Sequence, residues 1–165
     1  MSRKAVYTGS FDPITLGHVN VIERGSRLVD QLIVGIGINP NKQPMFDTAE
    51  RVELVREVLA PLKNVEVKAF TGLAVSFVRE MGARVMLRGV RSLMDIEAEF
   101  MMTLANRKLD PGIETVFLMA DDQFSHISSS LIKQIAPLAG DPELARFVPP
   151  EVIRELRRKQ TNPNA

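Results

Sequence analysis

A histidine directly behind a glycine, Gly17-His18, ends the run Ala5-Val6-Tyr7-Thr8-Gly9-Ser10-Phe11-Asp12-Pro13-Ile14-Thr15-Leu16. An apolar, strand-like run closes there in a glycine and a hydroxyl residue. A turn follows, and helical spacing begins with Val19, Val21, Ile22 and Leu28. Strand, tight turn and helix is the arrangement by which α/β proteins offer free helix N–H groups to a phosphate. A histidine in the first helical turn lies near the positive end of the helix dipole, which disfavours its protonation. That place suits an imidazole that stays neutral and donates a hydrogen bond to an anion. Gly9 does not open a G-x-G-x-x-G spacing, and no Gly-Lys-Ser/Thr ending follows, so neither the dinucleotide fingerprint nor a P-loop is present.

Other polar residues recur where strand-like runs end. Asn39-Pro40-Asn41-Lys42 follows the second run, and Arg88-Gly89-Val90-Arg91 ends the fourth. Asp121-Asp122 and Phe124-Ser125-His126-Ile127-Ser128-Ser129-Ser130 follow the fifth. In an open parallel sheet, ligands bind outside the carboxyl ends of the strands. All these residues are therefore expected at one edge, in a site sized for a polyphosphate such as ATP. Arg88 ends the apolar Val85-Met86-Leu87 and must pair or line a cleft, because burying a lone guanidinium is very costly. Lys42 alone reads as a solvated loop lysine. Arg91, Asp95 and Glu99 share a helical face, either as a solvated charged stripe or as part of the site. The three serines are a helix N-cap, or a cradle of hydroxyls and N–H groups for phosphate.

No activated nucleophile stands out, since G-x-S-x-G and S-x-x-K frameworks are missing and the chain has no cysteine. A neutral histidine, a lysine, two arginines and several hydroxyls suit phosphoryl or nucleotidyl transfer, where catalysis is mostly positioning and charge stabilisation. A substrate phosphate can attack the α-phosphorus of ATP without a base, because the attacking oxygen is already anionic. His18, Lys42 and Ser10 would steady the α-phosphate in flight. The residue types leave the acceptor open.

The elements that must hold these residues follow from apolar patterning. Strand-length runs near 5–8, 31–38, 65–69, 85–88 and 115–119 alternate with helical periodicity, the signature of a parallel sheet covered on both faces. A second helix opens at Asp47-Thr48-Ala49-Glu50, an N-cap with an acid three residues on, and carries Val52, Val55, Val58 and Leu59. A third spans 73–81. A fourth follows Ser92, with Leu93, Ile96, Phe100, Met101 and Leu104 expected in the core, and ends before Asp110-Pro111-Gly112. Met94, Met101 and Met102 read as core or subunit contact. A fifth helix is expected from Ser130 to near Gly140, and a last one opens at Pro149-Pro150 with Val152, Ile153 and Leu156.

With 165 residues, 45% of them hydrophobic and 25% charged, the chain is expected to form one α/β domain. A net charge of +1 gives no general field for nucleic acid, and nucleic-acid partners are not expected. Only Ala5-Val6-Tyr7 follows Arg3 and Lys4, too short for a signal peptide, and the longest apolar stretch, 32–38, is too short to span a membrane. A cytoplasmic protein without membrane partners is expected.

Four segments together resemble the bacterial phosphopantetheine adenylyltransferase family. They are Gly9-Ser10-Phe11-Asp12-Pro13-Ile14-Thr15-x-Gly17-His18, Lys42-x-Pro44-Met45-Phe46, Arg88-Gly89-x-Arg91 and Ile127-Ser128-Ser129-Ser130. The Thr-x-Gly-His element alone marks only the wider nucleotidyltransferase superfamily. The resemblance runs through Phe147-Val148-Pro149 and implies a Rossmann-like open parallel five-stranded sheet, with a nucleotidyltransferase domain over 1–159 and a frayed tail over 160–165. It implies transfer of an adenylyl group from ATP to 4′-phosphopantetheine, giving dephospho-coenzyme A and pyrophosphate, the penultimate step of coenzyme A synthesis. By the same resemblance, Ser10, His18 and Lys42 are catalytic, and Ser10, Lys42, Ala74 and Arg88 hold the acceptor. ATP is held by Ser10, Phe11, His18, Gly89, Val90, Arg91, Glu99 and Phe124, Ser125, His126, Ile127, Ser128, Ser129, Ser130. Magnesium dependence and a homohexamer built as a dimer of trimers are also implied. No protein metal ligand is assigned. Ser10 stands where threonine is commoner, Phe124 where tyrosine or tryptophan is frequent, and His126 where phenylalanine or tyrosine is frequent; these departures bear on adenine packing.

Two rival readings stand beside this one, the first within enzymes and the second from a different class. One is an adenylyl- or cytidylyltransferase with another phosphate acceptor, such as nicotinate mononucleotide or glycerol 3-phosphate, against which the Lys42 and Arg88 segments speak. The other is a nucleotide-binding regulatory subunit without catalysis, against which His18, Lys42 and Arg91 speak.

Overall fold

β1 (Lys4–Gly9) sends alternate side chains into two cores: Ala5 and Tyr7 face one and Val6 faces the other. That alternation requires a strand covered on both faces, at the centre of a sheet. The computed structural model describes residues 2–162. β1 pairs on one side with β2 (Gln31–Gly37) and on the other with β4 (Val85–Val90), while β3 (Val65–Phe70) and β5 (Glu114–Met119) form the edges. The order β3-β2-β1-β4-β5 is parallel throughout, with Ala5 opposite Leu32 on one flank and Val85 on the other. The chain winds outward from β1 to β3, then returns to β4 and winds the opposite way. The topological switch point therefore lies between β1 and β4. This is the expected Rossmann-like sheet, and each expected strand falls within two residues of its observed bounds.

The helices are α1 (Leu16–Ser26), α2 (Thr48–Leu59), α3 (Ala74–Glu80), α4 (Leu93–Leu109), α5 (Ser129–Ile135), α6 (Asp141–Leu144) and α7 (Pro150–Thr161). Val21 and Ile22 of α1, Leu54 and Val55 of α2, Ile132 of α5 and Val152 of α7 close one core over Leu32, Val34 and Ile36. Val75, Phe77 and Val78 of α3 close the smaller core over Val6, Ile33 and Met86. The expected cap of α2 is a capping box: Glu50 N–H donates to Asp47 at 2.8 Å and Asp47 N–H to Glu50 at 2.8 Å.

Three expectations need correction. The expected fifth helix ends early, at Ile135 rather than near Gly140, because Pro137 lacks an N–H and its ring disfavours helix in the residue before it, and the short α6 begins only beyond Gly140. The expected domain boundary after Lys159 falls inside α7, which continues to Thr161, and 163–165 of the expected tail lie outside the described residues. The fourth helix buries none of its residues: Leu93 is 84% exposed, Phe100 52% and Met101 64%. Its half-buried residues are Asp95, Ile96, Glu99, Thr103 and Asn106, spaced one, three, four and three apart on one face. α4 thus meets the sheet mainly through ionic and polar side chains and turns its apolar side outward.

Candidate functional site

A cleft of about 450 Å³ opens at the carboxyl edge of the sheet over the β1/β4 switch point, where ligands of such sheets bind. Ser10, Phe11, His18, Lys42, Arg88, Gly89, Arg91, Glu99 and the segment 127–130 all line it. Five elements that are remote in sequence thereby converge.

The turn after β1 is tightly determined. Gly9 has no room for a side chain, since a Cβ there would lie 3.0 Å from the Phe11 ring. Phe11 sits in the left-handed region with φ 47°, a strained conformation for a bulky residue. Its packing overcomes that strain: Phe11 is buried and meets Tyr7 and His18 edge-on, at centroid distances of 5.4 and 5.0 Å. On β4, a Cβ on Gly89 would lie 3.1 Å from the Tyr7 hydroxyl and from Val21, so the strand passes close to β1 and α1 here.

His18 is fixed by the helix cap. Thr15 N–H donates to His18 Nδ1 at 3.1 Å, and His18 N–H donates to Thr15 Oγ1 at 3.4 Å. A backbone N–H can only donate, so Nδ1 is the acceptor and the ring proton of the neutral imidazole sits on Nε2. The pKa of His18 is lowered to about 4, first by burial and then by the positive charges of Arg91 and Arg88. The neutral imidazole expected from its place at a helix start is what the geometry produces.

Arg88 of β4 and Arg91 just beyond its end reach the cleft in different company. Arg88 donates from Nε and Nη2 to the two oxygens of Glu99 at 2.7 and 2.6 Å, and from Nη1 to Thr8 O at 2.6 Å and Thr8 Oγ1 at 3.0 Å. Burial works against its charge, but the Glu99 bonds outweigh it and hold the guanidinium pKa above its usual value. Arg91 pairs with Asp95 at 3.1 Å and donates to the carbonyl of Ile127, joining β4 to the segment before α5. The expected stripe of Arg91, Asp95 and Glu99 is therefore a clamp that fastens α4 to the rim of the cleft.

Ser128 is the N-cap of α5, its hydroxyl accepting from Leu131 N–H at 3.1 Å. Ser129 donates to Pro13 O at 2.8 Å, and Ser130 lines the cleft. Lys42 is exposed on the loop between β2 and α2 and also lines it.

Five residues expected at the site do not line the cleft. Val90 is buried beneath the rim, and Ala74 opens α3 against the smaller core. Phe124 stands against the start of α1, 3.8 Å from where a Cβ on Gly17 would be. Ser125 donates to Asp122 O at 2.9 Å, and His126 meets Phe147 edge-on at 5.8 Å.

Three charged lining residues were not singled out from the sequence: Asp12, Arg51 and Lys133. Asp12 and Arg51 are both buried, at 4% exposure each. Arg51 donates to Ser10 O at 2.9 Å, to Gly37 O at 3.2 Å and to Thr48 Oγ1 at 3.3 Å, and its Nε has no partner among the described residues. Their signals were present in the spacing. Arg51 lies four residues before Val55, on the buried stripe of α2, where a charge needs a reason. Lys133 lies four after Ser129, on the same helical face.

No cluster of three or more His, Asp or Glu side chains among the described residues could hold a metal ion. The carboxylates that line the cleft are each paired with a cation: Asp12 with Lys133, Asp95 with Arg91 and Glu99 with Arg88. Magnesium in such a cleft would be held on substrate phosphates rather than by an unpaired carboxylate. Among the described residues, no helix is long and apolar enough to cross a membrane.

A model of the cytidylyltransferase-like family matches residues 6–135. The chain is 58% identical over 161 residues to a phosphopantetheine adenylyltransferase of Rhodopirellula baltica, covering 97% of this chain and 90% of that protein. It is 47% identical over 154 residues to a phosphopantetheine adenylyltransferase of Alkaliphilus metalliredigens, covering 93% of this chain and 97% of that one. In fold alone it is similar to a nicotinic acid mononucleotide adenylyltransferase of Plasmodium falciparum, with a TM-score of 0.71, 15% identity and 97% of each chain covered.

Proposed function

Because this chain belongs to the phosphopantetheine adenylyltransferase family, we propose that its cleft joins ATP to 4′-phosphopantetheine and releases pyrophosphate. The observation that carries this reading is the convergence of Lys42, Arg88, Arg91 and a neutral His18 on one cleft at the switch point. The product is dephospho-coenzyme A, and the reaction is the penultimate step of coenzyme A synthesis.

A phosphate oxygen of the acceptor attacks the α-phosphorus of ATP. As that P–O bond forms, the bond from the α-phosphorus to the oxygen bridging to the β-phosphate breaks, and pyrophosphate leaves with the electron pair. The nucleophile is already an anion, so no base is needed and no adenylyl-enzyme forms. The protein supplies position and charge. His18 Nε2–H donates to an α-phosphate oxygen, where negative charge crowds in the transition state. Ser10 and Lys42 steady the same phosphate, and Lys42 with Arg88 receives the acceptor's phosphate. Arg88 enters that role already charged and oriented by Glu99 and Thr8.

ATP lies along Phe11, Gly89 to Arg91, Glu99 and the segment from Phe124 to Ser130, and Ala74 contacts the pantetheine arm. No protein ligand is assigned to magnesium, which, arriving with ATP, would supply positive charge against the leaving pyrophosphate. The enzyme works in the cytoplasm, where its nucleotide donor is abundant. Six copies assemble as two trimers that cover the outward apolar side of α4, where Leu93, Met94, Phe100, Met101 and Met102 are all more than half exposed.

Mass spectrometry of four reaction mixtures tests this. With magnesium, ATP and 4′-phosphopantetheine, dephospho-coenzyme A and pyrophosphate are expected. Pantetheine without its phosphate should fail, since the attacking oxyanion is missing and cations stay unpaired. CTP in place of ATP and nicotinate mononucleotide in place of the acceptor should fail too. Turnover of nicotinate mononucleotide but not of phosphopantetheine would overturn the acceptor assignment.

A further inference from the structure

Asp12 lies two residues beyond Ser10, yet nothing in the mechanism above uses it. Its carboxylate is buried and fully engaged. Oδ1 accepts from Phe46 N–H at 2.8 Å, and Oδ2 accepts from Met45 N–H at 2.8 Å and from Lys133 Nζ at 2.8 Å. Burying a carboxylate is costly unless it is paired and hydrogen-bonded, and here both oxygens are. With each oxygen occupied, Asp12 is badly placed to take a proton or touch a substrate. Its partners show what it does instead: Met45 and Phe46 end the loop that carries Lys42, and Lys133 belongs to α5.

That loop has little else to hold it. It leaves the sheet at Ile38, whose N–H donates to Phe70 O at 3.0 Å. From Asn39 to Pro44, its hydrogen bonds among the described residues are local ones to Asn39, from Asn41 N–H at 2.9 Å and Lys42 N–H at 3.2 Å. Its far end is fixed where Asp12 grips two consecutive N–H groups and Phe46 is fully buried. Three residues before that grip stands Lys42.

We propose that Asp12 is a positioning residue that sets the Lys42 loop and α5 against each other across the cleft. It joins the turn bearing Ser10 to the loop bearing Lys42 through backbone N–H groups, and to α5 through Lys133. Ser129 donating to Pro13 O at 2.8 Å is a second tie between that turn and α5. The inference rests on Lys42 facing the acceptor's phosphate.

A double-mutant cycle in the full chain tests it, with kcat and KM for 4′-phosphopantetheine and ATP measured for wild type, Asp12→Asn, Lys42→Ala and the pair. An amide offers one acceptor oxygen where three donors converge, so Asp12→Asn should loosen the loop. The loss in kcat/KM for 4′-phosphopantetheine caused by Lys42→Ala should then shrink by about tenfold in the Asp12→Asn background, the scale of coupling between groups in one network. Amide hydrogen exchange at Met45 and Phe46 should quicken in Asp12→Asn while β1 and β2 stay protected. A Lys42→Ala loss of equal size in both backgrounds would overturn the inference. Unchanged kcat/KM in Lys42→Ala alone would instead remove Lys42 from the reaction, and exchange at Met45 and Phe46 unchanged by Asp12→Asn would then overturn the anchor. If Asp12→Asn fails to fold, Lys133→Met removes one arm of the anchor and carries the same cycle. Coupling to Lys42→Ala is expected there too, and additivity would overturn the inference.

Discussion

The Thr15 N–H bond to Nδ1 decides which nitrogen of His18 carries its proton, and thereby which atom can meet a phosphate. A charged imidazole would lose that bond, because both of its nitrogens are donors. Burial and the neighbouring Arg91 and Arg88 push in the same direction. The chain has two histidines, so ring resonances followed by NMR across pH can isolate His18, which should protonate near pH 4 rather than near 6.5. Between those values the unfolded chain takes up a proton that the folded chain refuses. His18 therefore makes stability fall as pH drops from 6.5 toward 4, and has no effect above that window. A midpoint at 6.5 would contradict the neutral-donor account. In the same account His18→Ala lowers kcat by about a hundredfold or more, with little change in ATP binding. A neutral imidazole at this place was legible from Gly17-His18 at a helix start. The burial and the two arginines that keep the ring neutral were not, because they come from strands and loops that only the folded sheet brings near.

At the scale of elements, local chemistry was read well where one segment contains all of it. The Asp47–Glu50 capping box is complete within four residues, and each strand-like run became a strand. The start of α1 is another such unit: Thr15 caps the helix and orients His18 at once. Thr15→Val keeps the volume and the backbone N–H but removes the hydroxyl. It should cost about 1 kcal/mol of stability by urea unfolding, lower kcat, and be rescued in both by Thr15→Ser. A loss of stability with kcat untouched would separate the cap from the chemistry. The failures have equally local causes. Pro137 was passed over inside an apolar run, and α5 ends before it. In α4, apolar spacing predicted the buried face, yet the sheet-facing side carries Asp95 and Glu99 because Arg88 and Arg91 needed partners. Hydrophobic periodicity finds an apolar face without saying what will cover it.

For the whole molecule, alternation of strand and helix made the parallel sheet legible, but not the strand order that puts the switch point between β1 and β4. Nor could it separate apolar residues of a core from those awaiting another copy. The outward side of α4, the proposed contact between copies, decides between these: Met101→Glu should leave the monomer folded and break the proposed hexamer into smaller species by analytical ultracentrifugation. A hexamer that persists with Met101→Glu would move the interface elsewhere. The central claim is that the cleft lets the acceptor's own phosphate oxygen attack the α-phosphorus of ATP. Mass spectrometry of products made from 4′-phosphopantetheine whose non-bridging phosphate oxygens carry oxygen-18 tests it most directly. The account predicts that dephospho-coenzyme A retains every labelled oxygen while pyrophosphate carries none. Loss of label from dephospho-coenzyme A, into pyrophosphate or water, would contradict it.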